Sequence, residues 1–504
     1  SEGRVRRVLR GQGTRELHVV VLAEEVDASL ARDLRDAVGP GWDESKVTLR
    51  SGTPLRIEHL GRVDASNASV IIVPGSEFEG GGGSRNDSYT LKTLLSLRSE
   101  SEDQAAERQA PVRYPRVVAE IFDARKVGVA RKAYPGPLQL VASDAVVSRL
   151  LAQNVRHPGL SHVYQEILTH EGGCEIYVRK QPQLAGRTFG ELGGVFTSSI
   201  LLGVVREGPD GFEPHLNPSG DFVLAAEDGL VHLAGSYDDI RSRDLGEDRW
   251  ARGAPGTPDT TGLERRILVL GWNHKVPALI REFGTYVGGR FEVSVLSTVP
   301  VNRRERALER YGALGEGVRV SHHEGDLAEI ADLEAVDPRS FDNVLMVGSD
   351  RNADDDESDA RTIIGAMLLS ELGVPGDGTQ LILELLDPEN VRLMDTSRGE
   401  VIISPLILSH MLAHMGLRPE LGAVFTELFT AGGAEITFAP LDRYAALGES
   451  VSFVELQRAA CAKGEIALGV RTGPGGDGLT LNPASEQVFE VAEGRQLVTM
   501  VTFV

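Results

Sequence analysis

Apolar and polar positions along the chain alternate between a strand rhythm and a helix rhythm. Near the middle, Ile267-Leu268-Val269-Leu270 is a bare apolar run that breaks at Gly271-Trp272-Asn273. Apolar residues then recur at helical spacing (Val276, Leu279, Ile280, Phe283), before Gly288-Gly289 and a second run from Phe291 to Leu296. Strand, glycine turn, helix and strand predict the βαβ unit that opens a doubly wound parallel sheet. Upstream, the same signals predict strands over 17–22, 46–50, 69–73 and 116–120 and a helix over 26–38. Thr53-Pro54 reads as an N-cap followed by a first helical position. A short helix is expected at 91–97, then a polar, charge-rich loop at 99–109.

The pattern then recurs. Val117-Val118-Ala119-Glu120-Ile121-Phe122-Asp123 is echoed by Leu381-Ile382-Leu383-Glu384-Leu385-Leu386-Asp387. In the same order, 143–151 matches 404–412, 160–168 matches 421–429, 188–192 matches 452–456, and Leu216-Asn217-Pro218 matches Leu481-Asn482-Pro483. Such ordered matches predict two copies of one module of roughly 240 residues, large enough for two lobes each. The expected divisions are a first large lobe over 1–142, a helix-pair connector and small lobe over 143–240, and a linker over 241–263. A second large lobe over 264–403 and a second connector and small lobe over 404–504 complete the series. Short strands are expected at 174–178, 200–206, 222–225 and 230–234, which makes the small lobe β-rich. No strand and helix like those of 267–283 precede Leu17. The first sheet is therefore expected to lack its opening unit, as though the chain began inside a longer protein.

Composition narrows the partners. The chain has 504 residues, with 52 basic against 74 acidic side chains and a formal charge of −22, a balance that repels phosphate backbones and argues against nucleic acid. Cys174 and Cys461 form no C-x-x-C pair, which suits a reducing cytoplasm. No apolar run approaches the ~20 residues of a membrane span, and Ser1-Glu2-Gly3-Arg4 opens no signal-peptide core.

Candidate chemistry falls at strand ends. The turn Gly271, Trp272, Asn273 stands where a dinucleotide such as NAD would meet a helix N-terminus. The second glycine of G-x-G-x-x-G, which lets the backbone approach a pyrophosphate, is replaced by Asn273. After the strand expected at 343–347, Asp350, Asn352, Asp354 and Asp356 alternate, so that an extended loop could aim their oxygens at one hard cation such as Ca²⁺. It is not an EF-hand, because Glu357 holds the glycine position and Arg361 the bidentate position. A solvated acidic loop at a helix N-terminus accounts for the same residues. His322 and His323 read as surface loop residues without metal-ligand spacing. No nucleophile motif is present.

With Arg50-Ser51-Gly52-Thr53-Pro54, Leu270-Gly271-Trp272, Asn352-Ala353-Asp354, Ser358-Asp359-Ala360-Arg361, Val401-Ile402-Ile403-Ser404-Pro405 and Arg418-Pro419-Glu420-Leu421, the chain resembles the paired RCK (regulator of conductance) domains of CASTOR/POLLUX-type ion channels from about Leu17 to Val504. The resemblance implies an α/β fold of two tandem RCK modules, each a Rossmann-like doubly wound parallel sheet with a helix-pair connector and a small β-rich lobe. It further implies a homotetrameric ring on the cytoplasmic face of a membrane, partnered by a transmembrane pore domain absent from this chain. In calcium-gated potassium channels with RCK domains, an acidic residue at the loop and a glutamate on the next strand bind Ca²⁺. The positions resembling them are Asp359 with Glu384 and, in the first copy, Asp87 with Glu120; a strand-end salt bridge is the other reading of the two glutamates, and the favoured one. The rivals are a TrkA-like peripheral nucleotide-binding regulator of potassium transport and an NAD(P)-dependent oxidoreductase. The latter is disfavoured because no acid follows Leu296 to hold a ribose. No catalytic activity is expected.

Overall fold

The structure, a computed structural model, describes residues 17–75, 83–169, 173–209, 211–243, 250–254, 263–286, 288–349, 355–376, 378–394, 399–430, 433–473 and 478–502. It falls into two compact units, Ser1–Ser143 with Leu412–Pro419, and Asp144–Met411 with Glu420–Val504.

In the first unit, β1 (Val19–Ala23) pairs in parallel with β2 (Val47–Ser51), and β3 (Val70–Val73), β4 (Arg116–Ile121) and β5 (Leu138–Ala142) form a separate parallel sheet. Leu60, Leu94, Leu97, Val117, Ile121 and Tyr134 pack its core. Two local readings are corrected. The helix expected from Pro54 begins at Ile57 instead, because Thr53 N donates to His59 Nδ1 at 2.9 Å and holds residues 53–56 in a turn. The charge-rich stretch at 99–109 is not a loop but the second half of a helix spanning Gly83–Arg108. Charges four residues apart pair along its surface, Arg98 with Glu102 at 2.8 Å, while Ser101 and Ala105 turn inward.

The second unit holds the complete version of that sheet. Its strands β10 (Glu264–Leu270), β11 (Arg290–Ser297), β12 (Val318–Glu324), β13 (Asn343–Met346), β14 (Gln380–Leu385) and β15 (Glu400–Ile403) are all parallel, in the order β12-β11-β10-β13-β14-β15. Every residue of β13 is buried, as a strand covered on both faces requires, which is why it reads as an unbroken apolar run. β10 joins the two halves by pairing with both β11 and β13. The first module has counterparts of β11–β12 and β13–β15, but among the described residues none of β10. His322 and His323 lie within β12, opposite Val295 and Leu296, rather than in a loop.

The same unit contains both small lobes. β6 (Glu175–Lys180), β7 (Ser199–Gly208), β8 (Gly211–Leu216) and β9 (Gly229–Ala234) form an antiparallel sheet in the order β6-β9-β7-β8. β16 (Ala434–Pro440), β18 (Ile466–Arg471), β19 (Leu479–Leu481) and β21 (Gln496–Thr502) repeat it as β16-β21-β18-β19, with β17 (Ser450–Ser452) and β20 (Val488–Glu490) paired beside them. β8 replaces the strand expected at 222–225, of which only a Thr188–Val223 bridge forms. The repeat extends to irregularities. Both sheets slip register at one residue, between Leu201 and Gly203 and between Ala467 and Gly469. In each, the bulged leucine's carbonyl accepts from the asparagine of the Leu-Asn-Pro triplet, Asn217 N to Leu202 O and Asn482 N to Leu468 O, both 2.8 Å. Both asparagines have φ +45°, a left-handed conformation that asparagine tolerates better than most residues. Each small lobe is preceded by a helix pair, Ser143–Arg156 with Leu160–Leu168 and Ser404–Leu417 with Glu420–Leu428. Among the described residues, no helix is long and apolar enough to cross a membrane.

Candidate ligand-binding cleft of the second module

The carboxyl ends of β10, β13 and β14 meet the turn that follows β10. Gly271 makes that turn at φ +100°, where a Cβ would stand 2.3 Å from Val347 O. The glycine is thus required by close backbone approach to the neighbouring strand, which leaves the turn backed against β13. Trp272 is buried, edge-on to His322 at 6.3 Å. Asn273, also buried, accepts from Lys275 N at 3.0 Å and donates Nδ2 to Glu384 Oε2 at 3.3 Å.

Glu384, at the end of β14, has a fully buried carboxylate. It accepts from Lys275 Nζ and from the hydroxyl of Ser404, which opens the helix after β15. Burial alone would push this carboxyl up, but the Lys275 ammonium and the hydrogen bonds outweigh it and hold it below the ordinary glutamate value. Residues that the sequence assigned to two different sites, Asn273 and Glu384, are therefore hydrogen-bonded partners in one. The decisive residue, Lys275, was not singled out, since a lysine just after a turn reads as a solvated side chain. It seats an ammonium against Glu384.

Asp359 serves another role. Fully buried, it accepts from Leu386 N at 2.9 Å, Asp387 N at 2.9 Å and Asn390 Nδ2 at 2.9 Å, pinning the loop after β14. Asp87 does the same in the first module, accepting from Phe122 N at 2.7 Å, with Lys126 Nζ at 2.7 Å on its second oxygen. Glu120 accepts from Gly75 N at 2.8 Å. Each of these carboxylates is engaged by backbone or ammonium donors. Among the described residues no group of three His, Cys, Asp or Glu side chains is placed to hold a metal ion. Asp350, Asn352 and Asp354 lie outside the described residues, and Asp356 is exposed in the first turn of the helix Asp355–Glu371.

A buried ionic cluster ties the first connector to both lobes of the second module. Arg156 Nη1 meets Glu435 Oε1 on β16 at 2.7 Å, and the Arg156 guanidinium lies 4.3 Å over the ring of Tyr286. Arg149, two turns earlier on the same face of the helix Ser143–Arg156, reaches the Tyr286 hydroxyl at 3.1 Å, Glu282, and Glu435 Oε2 at 3.8 Å. Burial drives the Glu435 carboxyl above its ordinary value, with Arg156 and Arg149 opposing.

Residues 144–246 match the family model described as Castor and Pollux, part of voltage-gated ion channel. The chain is 26% identical to a probable ion channel POLLUX of Arabidopsis thaliana over 93% of its own length and 59% of the relative's. It is 26% identical to the ion channel CASTOR of Lotus japonicus over 85% of its length and 52% of the relative's. The chain thus spans just over half the length of these relatives. Among solved structures, the human SLO3 gating ring superposes with a TM-score of 0.70 at 13% identity, covering 100% of this chain and 97% of that one, a likeness of fold. On these matches the chain is similar to CASTOR/POLLUX-type ion channels over most of its length, and it is folded as two tandem RCK modules.

Proposed function

We propose that the chain is the ring-forming regulatory part of a cation channel, four copies of which couple ligand binding on the cytoplasmic face to opening of a pore. The end-to-end likeness to a gating ring carries this reading. A ligand acts in such a ring only if it binds one arrangement better than another. No catalytic role is assigned to the cleft.

Calcium is the proposed ligand, held at the loop Asp350, Asn352, Asp354 and Asp356. β13 ends at the carboxyl edge of the sheet, where α/β folds place ligands, and those residues come next in the sequence. The alternative position beside Glu384 already holds the Lys275 ammonium, which a metal would have to displace. A nucleotide at Gly271 would meet a turn whose side chains are committed to Glu384 and His322. Calorimetric titration of the chain with Ca²⁺, with mass by light scattering, tests the proposal. Heat is expected from the wild type and is expected to vanish in Asp354→Asn/Asp356→Asn, at the mass of a tetramer. Heat from NAD⁺ or ATP in place of Ca²⁺ would move the ligand to the Gly271 turn and refute the calcium assignment.

A further inference from the structure

The stretch between the two modules has the Gly, Pro, Asp and Arg content of a flexible linker, yet one piece of it is seated. Residues 250–254 run along the junction of the two small lobes and touch both. Trp250 lies flat against Gly193 and Gly194, where a Cβ on Gly194 would come within 2.8 Å of the indole. The Arg458 guanidinium lies over the indole, 5.8 Å from its centroid. Arg252 lies over the Phe189 ring at 4.7 Å and donates Nη2 to Asn217 Oδ1 and to Pro218 O at 3.3 Å. Its Nη1 reaches Cys461 Sγ at 3.9 Å. Gly253 N donates to Cys461 O at 2.9 Å, and a Cβ on Gly253 would sit 2.4 Å from Ala462 O.

Phe189, Gly193, Asn217 and Pro218 belong to the first small lobe, whereas Arg458, Cys461 and Ala462 belong to the second. Asn217 is the hinge of the arrangement. It is fully buried, and while its oxygen receives Arg252 its amide donates across the junction to Gly464 O at 3.0 Å. Its repeat partner Asn482 makes the matching donation to Ser198 O at 3.3 Å, but among the described residues it receives no arginine. The two lobes thus build two related half-sites, and the chain fills one.

We propose that this groove is a peptide-recognition site specific for a Trp-x-Arg-Gly segment, and that residues 250–254 are its intramolecular ligand, clamping the small lobes together. Each ligand residue has a distinct contact: an aromatic anchor on a glycine shelf, a cation on an aromatic face and a buried amide, and a glycine where no side chain fits. Aromatic and arginine anchors of this kind carry most of the energy of small interfaces.

The test uses the full chain. With Trp250→Ala/Arg252→Ala the groove is emptied, and a fluorescein-labelled peptide of residues 248–256 is titrated by anisotropy. Saturable binding is expected to the double variant, and roughly tenfold or more weaker binding to the wild type, whose own segment competes at high effective concentration. A Gly253→Val peptide is expected to lose roughly tenfold, as is the double variant carrying Asn217→Ala, while Asn482→Ala is expected to have no effect. Equal binding to variant and wild type, or none to a variant that unfolds like the wild type, overturns the proposal. Should the variant not fold, Trp250 is kept as the only tryptophan in a Trp42→Phe/Trp272→Phe chain. Iodide should then quench it roughly threefold less than in the free peptide, as for an anchor shielded from solvent, and equal quenching overturns the proposal.

Discussion

Arg156→Met is expected to destabilise the second unit by about 3–5 kcal/mol at pH 8, because removing one partner of a buried ion pair leaves the other uncompensated. Glu435, whose side chain is fully buried, would keep only Arg149 at 3.8 Å. Methionine keeps an unbranched aliphatic stem, so the loss reports the guanidinium's contacts with Glu435 and with the Tyr286 ring. The pH dependence follows from the direction of the Glu435 shift. Its folded-state pKa lies above its unfolded value, so its contribution is fully present below the unfolded pKa and is lost as pH rises through the folded one. Without Arg156 that folded value rises further, and the variant should recover stability on acidification toward pH 5. Denaturant unfolding followed at Trp272 measures this. A variant within about 1 kcal/mol of wild type at pH 8, or one with no pH recovery, would show that the cluster is incidental. Adding Glu435→Gln to Arg156→Met should restore much of the loss.

Lys275→Met is expected to have a comparable effect, again about 3–5 kcal/mol at neutral pH, but with a local signature. In the wild type, Glu384 titrates below its ordinary value, so its contribution is present above the unfolded pKa and is lost as pH falls through the folded one. Removing the ammonium reverses the sign: burial then dominates, and the carboxylate becomes a liability that protonation relieves. The Gly271–Asn273 turn should loosen with it, since Asn273 shares the same carboxylate. In a Trp42→Phe/Trp250→Phe background, the emission of Trp272 is therefore expected to shift to longer wavelength in Lys275→Met and to return in Lys275→Met/Glu384→Gln. An unshifted spectrum in the single variant would mean that the turn is held by Val347 and β11 alone.

Much of the fold was legible because parallel strands buried on both faces are written as unbroken apolar runs, as in Ile267–Leu270 of β10, Val344–Met346 of β13 and Leu381–Leu383 of β14. The duplication was legible because it preserves polar residues with structural duties: the Asn217 and Asn482 bulge partners, and the capping boxes Thr188 with Glu191 and Ser452 with Glu455. The site was less so. Asp87 and Asp359 look like ligands in sequence, and only the fold reveals that their oxygens accept from backbone amides two positions beyond Glu120 and Glu384. Lys275 carried no signal, because its partner lies 109 residues away. The helix Gly83–Arg108 was cut short because charge pairs four apart look the same, residue by residue, as a polar loop.

The divided sheet of the first module has a consequence in time. β1 and β2 hold one another through a two-stranded parallel ladder, a size of sheet that is marginal on its own in water. Val19, Val20 and Ile72 remain 40%, 43% and 43% exposed, whereas Val293 and Leu345, the counterparts of Val19 and Ile72 in the continuous sheet around β10, are buried. Amide protons of β1 and β2 are thus expected to exchange with solvent by small local openings, orders of magnitude faster than those of β10 and β11, whose release requires breaking the six-stranded sheet. Mass-resolved hydrogen exchange on peptides from the two modules would read this directly. Equal protection would mean that β1 gains a neighbour in solution. The two halves of a near-symmetric chain would then differ most in how long they stay closed, with the first module the more readily opened by whatever strand can pair with it.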